Sequence, residues 1–277
     1  MFAQINHMAI ISRHYSMLGK FYEAVFGLKP SSKTRPAGSI TIGDGYTGLN
    51  LIPRRDGYLE GIDHFGMVVD AIAPVRERMK RKFPNTDVVQ RPSARPFAAF
   101  SGHDPDGNVF DLAQRKDDNR KEIYADIAAQ GWAQDRYMNR FAIRTQNAEQ
   151  VAEFYAEIFE LAPVNGANPG GWHLSDGRVT LSILPWSPGK FAGMSVKRPG
   201  PDHIGFHVED LAAFKTVVAE VAGANPYLAP VPLGGSPESE TRKELLRSSA
   251  SGVWQMADPD GNWLDISCGE VLPEAGK

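Results

Sequence analysis

Three segments of this chain occur twice, in the same order. FYEAVFGL at 21–28 returns as FYAEIFEL at 154–161, DHFGMVVD at 63–70 as DHIGFHVED at 202–210, and DPDGNVFDLAQ at 104–114 as DPDGNWLDISC at 258–268. One such match would carry little, but three in register imply a duplicated unit. A chain of 277 residues has room for two domains of ordinary size. Between the copies runs RKDDNRKEIYADIAAQGWAQDRY, which is charged and helix-prone. The expected organisation is therefore a first domain at 1–115, a linker helix at 116–137 and a second domain at 138–270.

Each copy divides again. INHMAII reads as a strand, and SMLGKFYEAVFGL places Met17, Phe21, Val25 and Leu28 at helical spacing. GSITIGDG and GLNLIP are short strands about a Gly-Asp-Gly turn. The pattern restarts with GIDHFGMVV, an amphipathic helix at PVRERMKRKF, and the strands FAAFSG and NVFDLAQ joined by a DPDG turn. The second copy follows suit with RFAIRT, AEQVAEFYAEIFEL, GWHLSD, VTLSILPW and DHIGFHV. It adds GGSPESETRKELLRSSASG, a polar insertion that reads as a loop; long loops of this kind are often lids or binding segments. The fold class expected is α+β, with tandem domains each made of two paired βαβββ modules forming partial β-barrels.

Composition narrows the function. Hydrophobic residues make up 42% of the chain, enough for a core, and the formal net charge of -3 gives no basic surface for nucleic acid. One cysteine, Cys268, rules out an internal disulfide and fits a reducing compartment. MFAQINHMAII does not read as a signal peptide, and no apolar run reaches membrane-span length, so a cytoplasmic protein is expected. Its expected partners are a small-molecule substrate and, as an option, a second copy in a homodimer, with no nucleic acid and no membrane.

Strand alternation then picks out chemistry. On INHMAII, Ile5, His7, Ala9 and Ile11 should share one face, and Asn6, Met8 and Ile10 the other. His64 should lie with Ile62, Gly66 and Val68, and Asp111 with Val109 and Ala113. Two imidazoles and a carboxylate on otherwise small or apolar faces need a compensating charge, and a metal ion supplies one. Two histidines and one carboxylate with open positions form the triad of ferrous oxygenases. Against this, a single strand histidine is more often a hydrogen-bonded core residue, and the DPDG turns need no catalytic role.

These segments resemble the vicinal oxygen chelate superfamily, which groups glyoxalases, bleomycin-resistance proteins and extradiol dioxygenases. The likeness covers nearly the whole chain outside the linker and tail, and it speaks for the superfamily more than for any one activity. It implies paired modules curling around a metal, with ligands at His7, His64 and Asp111 if modules pair within a domain. If they pair across domains, the set becomes His7, His203 and Asp265. The matching positions of the second domain are Arg140, His203 and Asp265, and a guanidinium cannot ligate a metal, so Arg140 would form an ion pair there instead. The cofactor implied is a divalent metal, Fe(II) first, with Mn(II) or Zn(II) as options.

The chain departs from the family pattern in three places. Aspartate stands where glutamate is usual. GLNLIP offers only Asn50 where glyoxalases add a fourth ligand. Ser101 occupies the place where extradiol enzymes tend to carry a tyrosine, so His103 becomes the candidate acid or base. Arg91 and Arg95 precede a strand bordering the site and could hold a substrate carboxylate or phenolate. Tyr46, Tyr58, Trp172 and Trp254 are candidate apolar walls. The expected function is a metal-dependent, dioxygenase-like enzyme acting on a small aromatic, oxygen-bearing substrate. A glyoxalase-type lyase or isomerase and a non-catalytic binding protein are the alternatives.

Overall fold

The computed structural model describes residues 3–30, 38–92, 97–117, 135–164, 170–191 and 199–269. Period-two alternation, interrupted once in the first strand of every module, decides how its layers form. The first half runs β1 (Ala3–Ser12), α1 (Tyr15–Phe26), β2 (Lys29–Pro30), β3 (Ile40–Gly43), β4 (Gly48–Pro53), β5 (Gly61–Val69), α2 (Ile72–Lys82), β6 (Val88–Gln90), β7 (Phe100–His103) and β8 (Val109–Gln114). The second half repeats this with β9 (Arg136–Thr145), α3 (Ala148–Phe159), β10 (Ala162–Pro163), β11 (Trp172–Ser175), β12 (Thr180–Pro185), β13 (Gly200–Val208) and α4 (Leu211–Ala224). It ends with α5 (Pro237–Ser249), β14 (Trp254–Ala257) and β15 (Trp263–Cys268).

Two sheets result, with strand orders β2-β3-β4-β1-β5-β8-β7-β6 and β10-β11-β12-β9-β13-β15-β14. Each is an open sheet and not a closed barrel. At the centre of each, the first strands of two modules pair antiparallel, β1 with β5 and β9 with β13. Modules thus pair within each half of the chain.

One face of each sheet is apolar and joins a shared core. Met8, Ile10, Phe65, Met67, Phe110 and Leu112 of the first sheet and Phe141, Ile143, Ile204, Phe206 and Leu264 of the second belong to one buried cluster with α1 and α3. Phe26 stacks on Phe206 with ring centroids 3.9 Å apart, and Phe65 lies 5.1 Å from Phe141. Burying such aromatics contributes roughly 1.5–3 kcal/mol each, which binds the two sheets together.

Polar contacts between the halves are reciprocal. Tyr22 on α1 donates to Asp258 in the second DPDG turn (2.9 Å), and Tyr155 on α3 donates to Asp104 in the first (3.3 Å). Ser12 donates to Asp260, and Thr145 donates to Asp106. Asp44 accepts from the amide of Met138, and Asp176 accepts from the amide of Ile5. The DPDG turns are therefore the clasps between the two halves as well as tight turns.

Two expectations are corrected here. The polar insertion is largely helical: α5 has a Ser236 N-cap accepting from the Ser239 amide, with Pro237 at its first turn. Its polar composition masked a short apolar stripe, since Leu245 and Leu246 are buried. Ile5 does not share the face of His7 but belongs to the core cluster, for a reason that lies in the strand register and is taken up below. The expected linker helix falls almost wholly at 118–134, outside the described residues.

Candidate metal centre

The register of β1 on β5 slips by one residue between Ile5 and His7, so Asn6 is an extra residue in that strand. A bulge of this kind lets two successive side chains reach one face, which alternation forbids. Ile5 stays with the core, while Asn6 and His7 are both free to turn to the other face. Nδ1 of His7 lies 2.8 Å from Oδ1 of Asn6, and the Asn6 amide donates to the carbonyl of Phe97 at 3.2 Å. The same slip occurs on β5 between His64 and Ile62, leaving Asp63 extra. Its carboxylate accepts from Nδ1 of His64 at 2.6 Å.

Both imidazoles thereby hold their Nδ1 protons on a neighbour and point Nε2 the other way. Opposite them stands Asp111, in register with Gly66 on β8. Its Oδ2 is 3.3 Å from Nε2 of His64 and 3.7 Å from Nε2 of His7. All three side chains are buried, and one donor atom from each lies within 4.8 Å of the others. Burial alone would raise the pKa of Asp111, but the imidazoles of His64 and His7 beside it hold it well below the usual carboxylate range. Burial works against a charge on His64, yet Asp111 and Asp63 on its two nitrogens outweigh it and raise its pKa to about 9.

Gly66 makes the arrangement fit. A Cβ there would come within 3.0 Å of three atoms of the His7 ring, closer than real Cβ contacts come. Phe97 closes another side, its ring edge-on to His7 at 5.4 Å.

The donor set suits a divalent ion. Metal–nitrogen and metal–oxygen bonds of about 2.0–2.2 Å put neighbouring ligand atoms roughly 3–3.5 Å apart, close to the separations seen. Nδ1–H bonds to Asn6 and Asp63 select the tautomer with a lone pair on Nε2, the usual support for metal-ligating histidines. Arg91 is also present, and its guanidinium pairs with Oδ1 of Asp111, the oxygen turned away from the histidines. The cluster could therefore hold a metal with Arg91 still in place.

The second sheet repeats the geometry with different chemistry. Bulges at Asn139 and Asp202 match those at Asn6 and Asp63. Arg140, Gly205 and Asp265 stand in one row, as His7, Gly66 and Asp111 do. Nη1 of Arg140 is 3.6 Å from Oδ2 of Asp265; that oxygen accepts from the amides of Ser251 and Gly252, and Oδ1 accepts from Gln255. Burial lowers the Arg140 pKa, with Asp265 opposing. His203 holds Nδ1 on Asp202, which is also paired with Arg144. The alternative set of His7, His203 and Asp265 is split between the two sheets.

Other candidates are placed as follows. His103 is exposed at the end of β7 with Nδ1 2.9 Å from the carbonyl of Asp104, and it is not part of the three-residue cluster. Arg91 lies on Asp111, and Arg95 falls outside the described residues. Asn50 faces the same side as Ala9, but its Oδ1 accepts from Thr41 at 3.1 Å. Tyr58 and Trp172 are exposed, Trp254 packs on Phe214, and Tyr46 stacks with Arg178. Reasoning from sequence missed Asn6, Asp63, Gly66 and Phe97. The doublets Asn-His, Asp-His, Asn-Arg and Asp-His, one in each module, were the available signal.

The first sheet thus pairs two βαβββ modules around a His-His-Asp cluster that could hold a metal ion. Residues 4–112, within the first half of the chain, match the family model of the Glyoxalase/Bleomycin resistance protein/Dioxygenase superfamily. No curated protein sequence matches the chain significantly. Among solved structures, the Mn(II)-bound glyoxalase from Novosphingobium aromaticivorans is similar over 98% of this chain and 83% of its own, with TM-score 0.62 and 13% identity. The 2,3-dioxygenase LapB from Pseudomonas sp. KL28 is similar over 98% and 94%, with TM-score 0.61 and 13% identity. A xylose isomerase-like TIM barrel/4-hydroxyphenylpyruvate dioxygenase fusion protein matches all of this chain at TM-score 0.61 and 12% identity, and the chain spans 50% of that protein's length. Among the described residues no helix is long and apolar enough to cross a membrane.

Proposed function

We propose that this chain is a metal-dependent enzyme of the dioxygenase type, with His7, His64 and Asp111 as ligands of Fe(II), or of Mn(II) or Zn(II), acting on a small aromatic substrate that bears vicinal oxygens. The observation that carries this reading is the convergence of two Nε2 atoms and one carboxylate oxygen on a buried point while both Nδ1 atoms are held by neighbours. A bound divalent ion would supply Lewis acidity toward the substrate oxygens and open positions for a second reactant. The protein's own contribution is orientation and electrostatics. Asn6 and Asp63 fix the ring planes. Phe97 gives an apolar wall that keeps water from one side. Arg91, a quarter exposed and buried at its Nε, offers a positive charge to a substrate carboxylate or phenolate beside Asp111. His103 and Arg95 remain proposed as an acid or base and as a second anion contact.

The glyoxalase-type reading uses the same ion with a fourth protein ligand. Asn50, the residue at that place, spends its carbonyl oxygen on Thr41, which favours the three-ligand dioxygenase type. The test is anaerobic loading of the purified chain with Fe(II), Mn(II), Zn(II) or Ni(II), followed by oxygen uptake on a panel of catechols. Uptake with iron or manganese that vanishes in His7→Ala is expected. Turnover of thiol adducts with zinc or nickel, without oxygen consumption, would establish the alternative; no uptake with any catechol would remove the dioxygenase reading.

A further inference from the structure

The second sheet carries buried polar atoms that its metal-free chemistry leaves over. Among the described residues Nε and Nη1 of Arg140 and Nε2 of His203 are buried with no hydrogen-bond partner. Arg140 is 7% exposed and His203 is fully buried. Such groups are each unfavourable by about 1–3 kcal/mol when unsatisfied, and only Nη1 of Arg140 has a carboxylate near it, Asp265 at 3.6 Å, so Nε of Arg140 and Nε2 of His203 point to something that binds there.

They lie on one face. His203 and Gly205 are two residues apart on β13, and Gly205 is in register with Arg140. Gly205 is needed, because a Cβ there would stand within 3.0 Å of the Arg140 side chain. Asp265, the one carboxylate beside Arg140, is already served by the amides of Ser251 and Gly252 and by Gln255. Its charge is shared among these donors, so Arg140 keeps donor capacity. His203 donates Nδ1–H to Asp202, so Nε2 presents its lone pair and must receive a proton donor. α5 and the turn after it reach this sheet: Ser249 accepts from Arg144, and the amides of Ser251 and Gly252 donate to Asp265.

We propose that this face is a second binding site, separate from the His7, His64 and Asp111 cluster, for a small hydroxycarboxylate. Its carboxylate accepts from Arg140, and its hydroxyl donates to Nε2 of His203. The Arg140 charge supplies affinity, as charge-assisted bonds do. His203 supplies discrimination for a ligand that carries its own proton donor. The site does not depend on the metal reading.

The test uses the full chain stripped of metal with a chelator that is then dialysed away. Glycolate is titrated by calorimetry, with acetate as the comparison lacking the hydroxyl. Saturable glycolate binding is expected, with acetate about tenfold weaker. Arg140→Lys keeps a positive charge beside Asp265 and so keeps the fold, but it removes Nε, and it should weaken glycolate by about tenfold or more. Saturating glycolate should raise the melting temperature of the wild type and not that of Arg140→Lys. His7→Ala should bind glycolate as the wild type does. No saturable binding, binding lost in His7→Ala but kept in Arg140→Lys, or equal affinity for acetate would each overturn the proposal.

Discussion

Nδ1 of His7 lies 2.8 Å from Oδ1 of Asn6, its own neighbour along β1. Adjacent strand residues normally point to opposite faces, so this contact exists only because the strand bulges there. It fixes the His7 tautomer. Asn6→Ala should leave the fold intact and lower affinity for Mn(II) or Fe(II) by about 10–100-fold, the size usual for such supporting partners. A metal titration of the wild type beside Asn6→Ala checks this; equal affinities would mean that Asn6 serves the strand and not the site.

The two sheets should differ in metal content. His7→Ala and Asp111→Asn each remove a donor from the buried cluster, and metal measured after loading should fall from about one ion per chain to background. His203→Ala should retain the ion, because His203 belongs to the other sheet. Elemental analysis after gel filtration reads this directly.

Gly66 stands under the His7 ring. Gly66→Ala would push a methyl into Nδ1, Cε1 and Nε2 of that ring, which also packs edge-on against Phe97. Overpacking of this kind destabilises by about 1–3 kcal/mol. Metal affinity should suffer more than stability, since the imidazole must leave its position. A melting curve and a metal titration on the same sample separate the two effects.

Tyr22 and Tyr155 each donate a hydroxyl across the boundary between the sheets, to Asp258 and Asp104. Replacing either by Phe leaves a buried carboxylate short of one donor. The expected loss is about 1–3 kcal/mol, larger for Tyr22→Phe because its bond is the shorter, 2.9 Å against 3.3 Å. Denaturant unfolding of both variants tests the order.

Asp258 gives the pH dependence. Burial, with help from the charge of Asp260, pushes its pKa up to about 6, against the hydrogen bonds of Asn262 and Tyr22. An acid with a raised folded pKa contributes stability that is fully present below its unfolded value, near 4, and is lost as pH rises through about 6. The size is at most about 3 kcal/mol. The wild type should therefore lose stability relative to Asp258→Asn between pH 4 and pH 7. A constant difference across that range would contradict it.

The duplication, the order of elements in each module and the two histidines with their aspartate were legible in the sequence. The reason is that they rest on local patterns: helical spacing about Phe21 and Val25, alternation along Phe65, Met67 and Val69, and turn residues at 104–107 and 258–261. Alternation failed at Asn6 and Asp63, because a bulge is set by pairing with another strand and not by the residues on either side. The apolar stripe of α5 was hidden for a similar reason, since Leu245 and Leu246 are buried only in the folded chain. Which modules pair, whether His7 faces His64 or His203, and that Arg91 rests on Asp111 were decided by contacts between residues far apart in the chain. The sequence by itself determined the modules and the residue types of the cluster. Only the tertiary structure decided which donors converge, because convergence depends on strand register and packing across the sheet, and neither is a property of any local segment.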